Sequence, residues 1–171
     1  MEFFKLKKEK NSLPQQEQES FMKRAIELSE VGMESNEGGP FGAVIVNNGR
    51  IVGEGFNQVT SLNDPTAHAE IIAIREACHN LSTFDLADCI IFTSCEPCPM
   101  CLAAIYWANI DEIFYANTKE DANNIGFRDY FIYNEFNKPI NKRKKKFTQL
   151  LNKEAKQVFC NWALKTDKVE Y

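Results

Sequence analysis

The stretch that most constrains this chain is His68-Ala69-Glu70, taken together with Cys98-Pro99-Met100-Cys101. One imidazole and a Cys-x-x-Cys pair supply three nitrogen and sulfur donors, which is what a catalytic zinc site uses while keeping a fourth position open for water. A structural zinc site wants a fourth Cys or His, and Cys78, Cys89 and Cys160 have neither the spacing nor the neighbours to serve. Glu70 is then left over as a carboxylate that can move protons at the water in the open position. Zn2+ bound by His68, Cys98 and Cys101, one ion per subunit with water as fourth ligand, is the cofactor this pattern predicts.

Those donors converge only in a particular local structure. Residues two apart point roughly 200° away from each other in mid-helix, so His68 and Glu70 must occupy the open N-terminal end of a helix. That end also carries unpaired N–H groups suited to a substrate carbonyl. The apolar set Ile71, Ile74, Ala77 and Cys78 predicts such a helix from Ala67 to Asn80. Pro97 fits the start of a second helix, with Cys98 and Cys101 on one face of its first turn. There the helix dipole would lower both thiol pKa values, so that both bind as thiolates.

The remaining elements follow from pattern. Residues 1–19 are polar and carry Pro14, a flexible leader, and Ser20 can cap a helix built on Phe21, Ala25, Leu28 and Gly32. Phe41 to Val46 and Ile51 to Phe56 flank Asn48-Gly49, a hairpin turn signal. Asn57 follows the second strand, where an Asn either makes a turn or offers its amide to a heterocycle. Cys89 to Thr93, Asp111 to Ala116 and Phe147 to Leu151 complete five strands, and Trp107 is core or pocket wall. A last helix from Lys153 to Leu164 is expected to bury Val158, Phe159 and Trp162. The fold class is α/β, a three-layer α/β/α sandwich around a mixed five-stranded sheet, forming one domain over residues 20–171.

Charge and cysteine usage narrow the setting. A net charge of −4 argues against a dedicated nucleic-acid binder, with Lys142-Arg143-Lys144-Lys145-Lys146 as a local exception that reads as a solvated loop or protected strand edge. No apolar run is long enough for a membrane span and the charged N-terminus has no signal-peptide core, so a cytoplasmic protein is expected. The six cysteines then read as buried thiols or ligands and not as disulfides. Gly38-Gly39-Pro40-Phe41-Gly42 precedes a strand and lacks the context of a dinucleotide loop.

His68-Ala69-Glu70 and Pro97-Cys98-Pro99-Met100-Cys101 resemble the cytidine-deaminase-like superfamily of zinc hydrolases. Gly38 to Val46, Asn63 to Glu70, Thr93 to Cys101, Ala104 to Ala108, Gly126-Phe127 with Asp129, Phe131-Ile132-Tyr133 and the terminal Glu170-Tyr171 are together similar to the small bacterial-type guanine deaminases. The resemblance implies hydrolysis of guanine to xanthine and ammonia in purine catabolism or salvage. It implies that Asn57 binds the purine, Phe41 packs on its ring and the Ala69 N–H meets its carbonyl. By the same resemblance Asp129 assists proton transfer at the amino group and Tyr171 closes the pocket. A homodimer exchanging its C-terminal segment is implied as well.

Three other readings share parts of the pattern. A tRNA adenosine deaminase has the same zinc motifs and would use Lys142 to Lys146 on phosphates. A deaminase of cytosine or another amino-heterocycle differs only in its pocket. A zinc-stabilised interaction module without turnover has no use for Glu70.

Overall fold

A computed structural model describes residues 13–170, so the Tyr171 lid and residues 1–12 of the expected leader lie outside the described residues. The single domain expected over residues 20–171 divides into two compact units, one running to Thr118 and the other beginning at Lys119.

The first unit holds α1 (Gln15–Glu34), β1 (Gly42–Asn47), β2 (Arg50–Phe56), the short α2 (Val59–Leu62), α3 (Ala69–Leu81), β3 (Cys89–Cys95), α4 (Pro99–Trp107) and β4 (Glu112–Asn117). Strand order is β2-β1-β3-β4; β1 is antiparallel to β2 and to β3, and β3 is parallel to β4. The predicted hairpin forms on Asn48 and Gly49, both at positive φ (49° and 72°), the backbone a two-residue turn with right-handed strand twist demands.

Alternation along β1 builds the layers. Val44 and Val46 join Ala25, Leu28 and Phe92 on the α1 face, while Ala43 and Ile45 join Ala69, Ala73, Ala77 and Ile91 on the α3 face. Phe92 stacks on Phe114 with ring centroids 4.8 Å apart. The α3 face is closer: a Cβ added at Gly55 would lie 2.3 Å from the Ala69 carbonyl oxygen, and one at Gly53 2.3 Å from that of Ala73. Two glycines on one face of β2 thus let α3 rest on bare backbone.

The second unit contains α5 (Lys119–Asn124), α6 (Tyr130–Phe136), a 3-10 turn at Ile140–Lys142 and α7 (Asn152–Leu164). Phe147 to Leu151 is not a strand, so the sheet has four strands and not five. The stretch has no ladder partner among the described residues, and Leu151 takes a left-handed φ of 50° that a strand does not allow. The basic run is therefore a loop and not a strand edge. It is pinned by Glu135, whose carboxylate accepts from Lys138 Nζ (2.5 Å) and the Lys144 N–H (2.6 Å).

Other expectations also shift. Helix α1 starts at Gln15 behind Pro14, ahead of Ser20, because a proline preceding the first turn breaks no intrahelical bond. Helix α4 starts at Pro99 and not Pro97; both prolines suit a helix start, and Cys98 takes the extended cap position between them (ψ 167°). Trp107 is 70% exposed, neither core nor wall within its unit. Val158, Phe159 and Trp162 of α7 are exposed and not buried, as the described residues of the second unit leave them open. No described helix is long and apolar enough to cross a membrane.

Candidate active site

The site is assembled at one end of the sheet, where the start of β1 and the ends of β2 and β3 meet the N-termini of α3 and α4. Gly42 at the start of β1 donates its N–H to the buried Ser94 hydroxyl at the end of β3 (2.9 Å). Asn57 just beyond β2 donates its N–H to Phe41 O (3.0 Å), and Gln58 donates to Ala67 O (2.9 Å). These three bonds bring Phe41, Asn57 and the residue preceding His68 to one edge. Ser94 was not singled out from sequence; a polar residue closing an apolar strand was its only signal.

His68 is the N-cap of α3 with extended backbone (ψ 155°), so its side chain leaves the helix axis while Glu70 begins the first turn. The predicted convergence at a helix start is found, with the helix beginning at Ala69. His68 Nδ1 lies 3.6 Å from Cys98 Sγ and 3.6 Å from Cys101 Sγ, and all three donor atoms lie within 4.8 Å of one another. Tetrahedral zinc with Zn–S of about 2.3 Å and Zn–N of about 2.05 Å sets its sulfur and nitrogen donors about 3.6 Å apart. The separations therefore fit a zinc ion, and the donor set is the borderline-soft mixture that zinc takes.

The two thiols differ in their surroundings. Cys98 is held down at about 4, first by a hydrogen bond from Cys101 and further by His68. Cys101, fully buried, is pushed up by that same hydrogen bond with Cys98 and by burial. Zinc held by these residues would favour the thiolate of both, because metal binding selects the deprotonated ligand.

Glu70 is 6% exposed. Burial pushes its carboxyl up from the usual range, and the nearby Cys98 charge adds to this; its own backbone N–H, Cys101 and His68 pull the other way. A buried carboxyl whose pKa is raised holds a proton more readily than an exposed one, which suits a group that must both take and give protons. Asn57 is also buried, and its Oδ1 accepts the N–H groups of Gly39 and Val59 (3.2 Å each). The Ala69 N–H lies at the first position of α3, where no intrahelical acceptor exists for it. Asp129 belongs to the second unit, where it is half-buried at the N-cap position of α6.

Comparison with known proteins agrees with this geometry. A family model of the cytidine and deoxycytidylate deaminase zinc-binding region matches residues 15–117. Guanine deaminase of Bacillus subtilis (strain 168) is 52% identical over 153 residues, covering 90% of this chain and 98% of its own. The X-ray structure of guanine deaminase from Bacillus subtilis superposes with a TM-score of 0.87, at 52% identity and with the same coverage. A tRNA-specific adenosine deaminase of Aquifex aeolicus (strain VF5) is 40% identical over 98 residues, covering 57% of this chain and 64% of its own. The matched region runs from the start of α1 to the end of β4 and contains all three metal donors, and on that ground the chain belongs to the cytidine and deoxycytidylate deaminase zinc-binding family.

Proposed function

We propose that this protein is a zinc-dependent guanine deaminase, hydrolysing guanine to xanthine and ammonia in purine catabolism or salvage. The observation that carries the reading is the buried Glu70 beside donors spaced for zinc, on a chain that is 52% identical to a guanine deaminase along 90% of its length. Likeness to the Aquifex tRNA deaminase is confined to 57% of the chain. The family region ends at residue 117, so the choice of base is expected to draw on residues after it.

His68, Cys98 and Cys101 would hold the zinc, which when bound lowers the pKa of a water toward neutrality. Glu70 takes the proton that this water gives up as its oxygen adds to the amino-bearing ring carbon. Glu70 gives that proton to the neighbouring ring nitrogen and then carries the proton of the newly added hydroxyl to the amino group, so that the C–N bond breaks as the carbonyl forms and ammonia leaves. The Ala69 N–H would hold a carbonyl of the base, Asn57 would bind its edge, and Phe41 would pack on its face. Asp129 would assist proton transfer at the amino group, and Tyr171 would close the pocket.

The working form is proposed to be a cytoplasmic homodimer in which the C-terminal segment is exchanged. Support comes from the apolar residues of α7 that its own unit leaves uncovered. The decisive experiment incubates zinc-loaded protein with guanine, adenine, cytosine, cytidine and tRNA and measures ammonia. Xanthine from guanine is the expected result; ammonia from tRNA alone overturns it in favour of the tRNA deaminase.

A further inference from the structure

We propose that Gly38 and Gly39 are positioning residues that fix the Asn57 amide so that it meets the base as a hydrogen-bond donor and never as an acceptor. The proposal rests on the reading above that Asn57 touches the base. Asn57 Oδ1 receives two backbone N–H groups, from Gly39 and Val59, each at 3.2 Å. A carbonyl-type oxygen has two lone pairs, so its accepting capacity is used. Turning the amide over would set Nδ2 against both donors and lose two hydrogen bonds at a side chain only 5% exposed. The orientation is therefore settled by backbone, and Nδ2 makes no hydrogen bond among the described residues.

Gly38 is what permits this arrangement. A Cβ there would lie 2.2 Å from Asn57 Oδ1 and 2.5 Å from the Asn57 carbonyl oxygen, closer than any side chain tolerates. Only a residue without a side chain lets the loop cross Asn57 closely enough for the next N–H to reach Oδ1. The held amide is itself tied to the site, because Gln58 donates to Ala67 O immediately before His68. A fixed donor selects a base that presents a ring-nitrogen lone pair or a carbonyl oxygen at that edge. A base presenting N–H or amino there leaves two donors facing each other, a discrimination built on unpaired polar groups.

The test compares two glycines of similar tightness. A Cβ added at Gly53 would also lie 2.3 Å from backbone, but from the carbonyl oxygen of Ala73 in the second turn of α3, one turn beyond His68 and Glu70. Gly38→Ala is expected to raise KM for guanine about tenfold, the worth of one hydrogen bond, with zinc content unchanged and kcat within about threefold. Gly53→Ala should lower the melting temperature and leave KM within about twofold. A Gly38→Ala protein with wild-type KM overturns the proposal, whatever its melting temperature. Should that variant not fold, Asn57→Asp decides: its carboxylate still accepts both N–H groups but cannot donate, so KM rises by at least as much, and an unchanged KM overturns the proposal. Wild-type protein that releases no ammonia from guanine defeats the proposed function instead. The same KM ratios are then measured on whichever panel compound does release ammonia.

Discussion

The two units differ in how far each closes its own core. In the first, both faces of the sheet are covered, and Val44, Ile45, Ile91, Phe92 and Ile105 are at most 1% exposed. In the second, Ala122 is the only buried residue among those described, while Phe147, Leu150, Val158, Phe159 and Leu164 are more than half exposed. The family region coincides with the first unit. A closed core around the metal donors can be shared by enzymes acting on different bases, whereas an open one invites a partner surface. The metal donors and Glu70 thus lie where the core is closed, and the segment after Thr118 is the less complete part of the chain.

The largest effect that sharpens this contrast is Glu70→Gln. It should lower turnover about a hundredfold to ten-thousandfold while zinc content and melting temperature stay near wild type, because it removes a proton carrier and no ligand. Near-normal turnover would remove Glu70 from the mechanism. Deleting Glu170-Tyr171 should leave zinc bound and weaken guanine turnover about a hundredfold, as misplacing a substrate does. A truncated protein with normal kcat/KM would remove Tyr171 from guanine turnover.

Gly55→Ala should destabilise the first unit by about 3 kcal/mol, because its Cβ meets the carbonyl of the residue between His68 and Glu70 and not a yielding side chain. Urea unfolding with parallel activity measurements checks this, and full stability would mean that α3 can step back from the sheet. Phe159→Asp addresses the second unit: on an isolated chain an exposed substitution changes stability by about 0.5 kcal/mol or less. On a dimer joined through α7 it shifts sedimentation from dimer to monomer. A dimer that survives places the contact elsewhere.

The smallest effect belongs to Glu54, which joins β2 to α1 by accepting from Arg24 Nε (2.7 Å) and Nη2 (2.8 Å). Arg24 holds the Glu54 carboxyl below its usual range. Its stabilisation is accordingly complete above the unfolded pKa of about 4.3 and is lost as pH falls through the folded value. Both side chains are about a third exposed or more, so Glu54→Gln should cost about 0.5 kcal/mol at pH 7. That cost should vanish in melts at acid pH; a cost independent of pH would mean that packing and not charge matters there.

Local chemistry made most of the first unit legible. Asn48-Gly49 could only be a tight turn, and the alternating apolar residues of β1 face two covered sides. The Cys98 and Cys101 spacing carried the metal site because ligand geometry is a short-range rule. Pro97 and Pro99 carry the same start signal two residues apart, which is why the origin of α4 was misplaced. Phe147 to Leu151 failed for a different reason: a strand needs a neighbour, and apolar content cannot announce one. The apolar pattern of α7 marked the helix correctly, but a pattern does not say whether a neighbour covers it, and Val158, Phe159 and Trp162 are exposed. Gly38 and Gly39 were legible as no dinucleotide loop and as part of a family resemblance, but not by their use, which depends on Asn57, distant in sequence.

The bare-backbone seat of α3 on β2 also bears on how the site keeps time with temperature. Side chains between layers exchange rotamers and loosen as a protein warms, and whatever rests on them drifts. At Gly53 and Gly55 no side chain intervenes, so the spacing between the sheet and the start of α3 is set by the hard radii of main-chain atoms. The imidazole at that helix start should therefore hold its place relative to the strands up to the melting transition, and activity should follow a straight Arrhenius line until the fold itself gives way.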